Sequence, residues 1–373
     1  MKHLILFLSF INFSLSLIEI PLMRKQGFQF RISQTLSNDY YFVKPSLQSP
    51  FSYLHESNSK NNSFAKKEIC IDSNCTQGLL YTNELNLNEY NVKLDYFGFF
   101  QTKPQIDTDH LSFALNPMNT SMSIMHQLYN SHQIESMVFS IGSVTENSDY
   151  IFIGGVPSNV YYKNPHGECA VTGDSWGCEL NQVYFEDVVD SHGRTEVRFK
   201  YQKRYRAIFS TEIQEIQVPK EYYEFVKETM FRRLIEEGKC KEWITNRRIE
   251  CQYGKILLDA LPSFVNFVFD NVTLAVHKSN LVNNKELLLE AVDESRYAPD
   301  EWVFGSKFLK LFFTSFDYNN KKIGFYIYSQ GVSRLILGYK NIKEILCLAV
   351  IFELCVGFII ILSKIKKIEF EKN

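Results

Sequence analysis

The residues that could do chemistry are scattered. Eight histidines (His3, His55, His110, His126, His132, His166, His192, His277) run through the chain, and no serine or cysteine sits in a nucleophile-elbow pattern such as GxSxG. His55 beside Glu56 is the nearest local acid-base pair, and it reads more simply as two surface residues. HExxH, a phosphate-cradling glycine loop and an acidic calcium loop are all missing from the sequence, so no metal or other cofactor is expected. The cysteines are better ordered. Six precede residue 345 as Cys70/Cys75, Cys169/Cys178 and Cys240/Cys251, with gaps of 5, 9 and 11, and two more, Cys347 and Cys355, lie beyond it. An even count in close pairs predicts three local disulfides in an oxidising compartment. Zinc is the competing reading; against it stand the lack of a CxxC and a single nearby histidine, His166.

The elements that must carry these residues can be read from texture. With 373 residues, 45% of them hydrophobic and 15% aromatic, the chain can fill a large core. A formal net charge of -2 gives no field to attract nucleic acid. Short aromatic and β-branched runs broken by Asn, Ser, Gly and Pro, such as 92–100, 150–156, 264–269 and 322–328, predict many strands. Helical periodicity is confined to 123–131, 221–237 and a short piece at 308–313.

The two ends carry apolar runs. Leu4 to Leu17, after Lys2, reads as a secretory signal peptide with Ser14 and Ser16 as small residues near a cleavage point. Ile345 to Leu362, followed by Lys364, Lys366 and Lys367, reads as a transmembrane helix with its lysines on the cytosolic side. Glu353 falls mid-span, where an ionised carboxylate costs about 2.5–3.5 kcal/mol unless protonation, a partner helix or snorkelling relieves it. The expectation is a single-pass type I protein of the secretory or endolysosomal pathway or the cell surface. Sequons at Asn61, Asn74, Asn119 and Asn271 agree with lumenal exposure.

Several stretches, in order, resemble the eukaryotic aspartic proteases of the pepsin and cathepsin D group. Trp302-Val303-Phe304-Gly305, Phe308-Leu309 and then 314–325, reading TSFDYNNKKIGF, resemble the family's closing segment. Leu261-Pro262-Ser263-Phe264 through Val272-Thr273-Leu274, the inter-lobe run 151–156, the stretch 125–141, and Cys240 with Cys251 fall where the family has its counterparts, as do Tyr40-Tyr41, Pro50 and the Cys70/Cys75 pair. The resemblance spans residues 36–328. It implies a mainly β, bilobal pepsin-like fold with a shortened first lobe: signal peptide 1–17, degenerate N-terminal lobe 18–160, C-terminal lobe 161–330, juxtamembrane linker 331–344, transmembrane helix 345–362 and cytosolic tail 363–373.

The family's chemistry needs two aspartates, one from an Asp-Thr-Gly turn in each lobe, held about 3 Å apart so that they share a proton and a water. An ungapped count from Tyr41 and Pro50 puts Asn58-Ser59-Lys60 at the first turn, and Ser210-Thr211-Glu212 matches the second, with Val218-Pro219 after it. Neither Asn58 nor Ser210 ionises near neutral pH. Glu56 and Glu212 are the only local acids that could substitute. Leu111-Ser112-Phe113 lacks the glycine of the family's first apolar-apolar-Gly loop, and the segment from Cys75 to Gly98 is too short for a flap hairpin, with Tyr81 as a remnant. A sugar on Asn61 would obstruct the cleft further. The leading expectation is a membrane-anchored pseudoprotease that binds an extended peptide or protein. The rivals are an active endopeptidase using misplaced turns and a structural surface glycoprotein. No basic propeptide is recognisable before Tyr40.

Overall fold

The computed structural model describes residues 17–22, 30–34, 40–48, 52, 63–71, 74–87, 90–99, 110–115, 123–145, 148–157, 167–189, 195–201, 203–243, 247–326 and 334–337. Strands dominate. One six-stranded sheet takes half of its strands from each half of the chain, in the order Ile18–Leu22, Ser148–Ile153, Val138–Thr145, Phe313–Asp317, Lys322–Tyr326, Gly167–Ala170. It therefore ties the two halves together. A second six-stranded sheet belongs to the first half and includes Tyr40–Ser46 and His110–Ser112. A nine-stranded sheet and a four-stranded sheet belong to the second half.

Each half contains a parallel strand pair that leads to the centre of the molecule. Tyr40–Ser46 runs parallel to His110–Ser112, with Ser46 opposite Ser112. Tyr205–Phe209 runs parallel to Glu301–Phe304, with Phe209 opposite Phe304. Parallel strands are flanked on both faces, so they read as apolar runs, and the YRAIF of 205–209 and the EWVF of 301–304 do so apart from Arg206 and Glu301, which pair with each other at 2.9 Å. Gly305 comes next because nothing larger fits: a Cβ there would lie 2.3 Å from the Glu215 carbonyl oxygen.

The core between the halves is aromatic. Trp176, fully buried, packs edge-on against Phe139, Phe316 and Tyr318, and Phe139 stacks on Phe316 with centroids 4.7 Å apart. The polar tips find carbonyls of the first half: Trp176 Nε1 donates to Phe113 O at 2.7 Å and Tyr318 OH to Ala114 O at 3.2 Å. Buried indole and phenol groups need such acceptors.

Phe264–Phe269 is a strand with the expected limits, and Ile124–Asn130 is the first expected helix. The helix of 221–237 runs from Lys220 to Glu236 with a π turn at Lys227–Phe231 inside it. The piece at 308–313 is displaced to Ser306–Leu311, because Phe313 is already paired with Tyr326 in the inter-half sheet. The expectation that the segment after Cys75 is too short for a hairpin is corrected. Asn74–Leu87 forms a hairpin with Tyr90–Phe99, from Gly78 opposite Phe99 to Leu87 opposite Tyr90, and pairs on its other side with Ser63–Ile71. Fourteen residues in one strand span about 46 Å, so length is no obstacle to a hairpin.

Disulfides join Cys169 to Cys178 and Cys240 to Cys251. Cys70 and Cys75 are cross-strand partners in the backbone register of their hairpin. Among the described residues no three His, Cys, Asp or Glu side chains gather to hold a metal, and no helix is long and apolar enough to cross a membrane. The 345–362 segment lies outside the described residues.

Candidate functional site

The ends of the two parallel strand pairs meet. Tyr40–Ser46 leads into Ser46-Leu47-Gln48, Tyr205–Phe209 leads into Ser210-Thr211-Glu212, and the two turns close on each other. Phe113 N donates to Ser46 O at 2.8 Å on one side, and Ser210 N donates to Phe304 O at 2.9 Å on the other. Both serines are buried, as are Leu47 and Thr211.

The contacts across the join are reciprocal. Ser46 Oγ donates to Glu212 Oε1 at 2.6 Å, so the first residue of one turn is held by the third residue of the other. In the opposite direction Ser210 Oγ lies 3.3 Å from Gln48 Oε1, and Gln48 Nε2 donates to Phe209 O at 2.6 Å. Thr211 Oγ1 donates to Pro45 O. Glycine at the third position would leave backbone and open space there; Gln48 and Glu212 fill that space with side chains and satisfy the hydroxyls opposite. Ser46, Ser210 and Thr211 are buried, whereas Gln48 and Glu212 remain partly exposed.

A loop from the second half covers this floor. Arg296 Nη2 donates to Glu212 Oε2 at 2.7 Å, and Tyr297 OH lies 3.5 Å from Ser210 Oγ. Burial pushes the Tyr297 phenol above its ordinary pKa, so it stays a neutral donor. Ser295, hydrogen-bonded to Asp293, and the turn closed by Arg296 N and Tyr297 N on Asp293 O fix the loop. Hydrogen bonds from Ser295 hold the Asp293 carboxyl below its ordinary range.

Among the described residues, the two turns bring together the hydroxyls of Ser46, Ser210 and Thr211, the Gln48 amide and the Glu212 carboxylate, and that carboxylate is engaged by a guanidinium and a hydroxyl.

Of the residues predicted for this site, Ser210 and Glu212 are here. Asn58, Glu56 and Asn61 lie outside the described residues. What the structure seats against Ser210 is Ser46–Gln48, with Ser46 twelve positions before Asn58, because the strand Tyr40–Ser46 runs straight into the turn. An ungapped count cannot find this. A signal is nonetheless present: the aromatic run Tyr40-Tyr41-Phe42-Val43 leading to Ser46 and Gln48 parallels Tyr205-Arg206-Ala207-Ile208-Phe209 leading to Ser210 and Glu212. Arg296 and Tyr297 have no local pattern that would single them out. Ser112 stands opposite Ser46, in keeping with the expected loop at 111–113; Ser52 Oγ accepts from its amide at 3.0 Å. Asn271 is exposed; Asn74 opens a strand; Asn119 is outside the described residues.

Two lobes joined by a shared six-stranded sheet, each sending a strand-borne turn to a common centre, define the pepsin-like class of fold. The eukaryotic aspartyl protease family model matches residues 45–327, beginning at the proline beside Ser46, and the chain belongs to that family. Among solved structures, the aspartic proteinase from Irpex lacteus superposes with a TM-score of 0.60 at 12% identity, over 84% of this chain and 98% of that one, a likeness of fold. No curated protein sequence matches the chain.

Proposed function

We propose that this chain is a non-catalytic member of the aspartyl protease family, anchored in the membrane as a type I protein and displaying its two-lobed domain in the lumen or outside the cell as a binding module. In this reading Ser46-Leu47-Gln48 and Ser210-Thr211-Glu212 occupy the positions of the family's two Asp-Thr-Gly turns, with Ser46 rather than Asn58 at the head of the first. The observation that carries it is the reciprocal closure of the two turns, Ser46 on Glu212 and Ser210 on Gln48. Hydroxyls in those positions neither ionise near neutral pH nor share a proton as a carboxylate pair does.

In this reading the ligand is an extended peptide held in the cleft between the lobes by backbone hydrogen bonds. The apolar 345–362 run and its flanking lysines support the anchor, and the local cysteine pairs agree with an oxidising compartment. Titration calorimetry of the purified protein with a library of extended peptides tests the binding role. Saturable heat that is lost on Arg296→Glu supports it; no heat with any peptide at protein concentrations on the order of 100 µM, where weak peptide affinities register, removes it.

A further inference from the structure

We propose that the second lobe carries a ligand site of its own, apart from the cleft floor, which takes an amphiphilic carboxylate: an aliphatic or aromatic body ending in a single carboxylate group. The proposal goes beyond the binding role of the cleft and does not depend on it.

The site is a cavity of about 600 Å³ that shares no residue with the floor between the lobes. Small-molecule pockets have volumes of about 300–1,000 Å³, and this one falls within that range. Its main walls come from three neighbouring elements. The long helix that ends at Glu236 supplies Met230 and Leu234, the short helix Gly254–Ala260 supplies Ile256 and Ala260, and Lys239 and Gln252 close the side at the base of the hairpin Cys240–Trp243/Arg248–Cys251.

Local chemistry fixes these walls. Gly238 adopts φ +69° and ends the long helix, and the chain turns so that Lys239 N donates to Leu234 O at 2.9 Å. Gln252 N donates to Lys239 O at 2.9 Å, next to the Cys240–Cys251 disulfide that closes the hairpin. The π turn at Lys227–Phe231 shapes the apolar side. In a regular helix the residue that follows Tyr222 and Val226 on the buried face is Met230, four positions on. The extra residue of the π turn passes that place to Phe231, which is fully buried, and leaves Met230 half-buried at the cavity. Met230, Leu234, Ile256 and Ala260 all pack on the core yet stay partly exposed, so the cavity offers an apolar surface to a ligand. Tyr253, 69% exposed, adds an aromatic ring to the lining.

The charged part of the lining is mainly basic: Arg198, Arg233 and Lys239, against one acid, Asp259. Arg198 pairs with Asp187, and Arg233 and Lys239 share Glu237, so their acidic partners lie outside the lining. Arg233 meets Glu237 through Nε, which leaves its two terminal nitrogens for a ligand carboxylate in a charge-assisted pair. An apolar surface beside guanidinium and ammonium groups matches a molecule with an apolar body and a negative end. A neutral amphiphile forgoes the ionic contact, and a cationic one is repelled.

The test uses the full chain, Met1 to Asn373, produced in a eukaryotic secretory host and reconstituted with phosphatidylcholine nanodiscs. Three photoreactive probes differ only in the head group: a diazirine-bearing decanoate, the matching decanol and the matching decyltrimethylammonium. Cross-links are mapped to the chain by mass spectrometry. Saturable labelling within residues 229–260 by the decanoate, about tenfold above that by the other two, is the expected result. Arg233→Glu combined with Lys239→Glu should lower labelling by the decanoate about tenfold and raise labelling by the cation. Both side chains are exposed, 88% and 52%, so the double variant keeps its fold, and the fluorescence of the buried tryptophans checks this. Equal labelling by all three head groups overturns the anionic class. A decanoate signal confined to other segments, or unchanged in the double variant, overturns the site.

Discussion

Thr211→Val removes a single donor from the join between the lobes. Thr211 is 1% exposed, and its hydroxyl donates to the carbonyl of Pro45, 166 positions away in the chain. Valine keeps the branched shape but leaves that buried carbonyl without this donor, which costs about 1–3 kcal/mol. For about 300 folded residues at about 2.1 cal/mol/K each, the unfolding entropy is about 0.6 kcal/mol/K, so a loss of about 2 kcal/mol lowers Tm by about 3 °C. Thr211→Ser keeps the hydroxyl and should lose less than half as much. The assay is urea unfolding with tryptophan fluorescence as the readout, and calorimetry for Tm; fluorescence suits it because Trp176 and Trp302 are fully buried. If Thr211→Val unfolds within about 0.5 kcal/mol of the parent while Thr211→Ser does no better, the closure of the turns is not a stabilising contact and the reasoning is refuted.

Four further outcomes are expected from the geometry. Gly305→Ala sets a Cβ against the Glu215 carbonyl and should destabilise by at least about 2 kcal/mol, measured by the same urea unfolding. Arg248 draws Glu290, Glu286 and Glu215 together, and Glu290 is buried enough that its carboxyl is pushed above the ordinary range; Arg248→Ala leaves that acid unpaired and should cost about 3 kcal/mol by calorimetry. Replacing Cys240 and Cys251 together by alanine opens an 11-residue loop and should cost about 2–3 kcal/mol under oxidising conditions, with no effect of reductant beyond that from the remaining bridges. Lys285, then the Trp243 indole, then Lys241 hold the Glu250 carboxyl down at about 2. Its folded value lies below its unfolded one, so its contribution is full above about 4.5 and is lost as pH falls toward 2; stability of Glu250→Gln should therefore depend less on pH across that window than stability of the parent does.

Much of the second half is legible in the sequence because its elements are long and apolar. Phe264–Phe269, the Trp302–Gly305 run and the closing strand pair are written in residues that only a buried sheet accommodates, and the tight fit at Gly305 explains why that glycine is there. Ser210 and Glu212 can be found because the apolar strand before them fixes their position. The first half is harder. Its strands carry many polar residues, as in the SFAKKEICI of 63–71, so no alternation fixes a register, and an ungapped count along the chain has no second anchor to check it. Length alone argues wrongly against the hairpin after Cys75, where backbone pairing between strands decides. Arg296 and Tyr297 reach the site through a loop 84 and 87 residues from their partners, a relation that only the fold creates.

The central claim is that the cleft floor no longer hydrolyses peptides. It is tested most directly by incubating the purified protein with a mixed peptide library between about pH 3 and 7, reading cleavage by mass spectrometry with and without a pepstatin-type inhibitor. The same assay is run on the variant Ser46→Asp, Gln48→Gly, Ser210→Asp, Glu212→Gly. The account predicts no inhibitor-sensitive cleavage by the parent protein, shown to be folded by its buried tryptophan fluorescence. Inhibitor-sensitive cleavage by the parent, abolished by Glu212→Gln, would contradict it and assign the chain a working acid site.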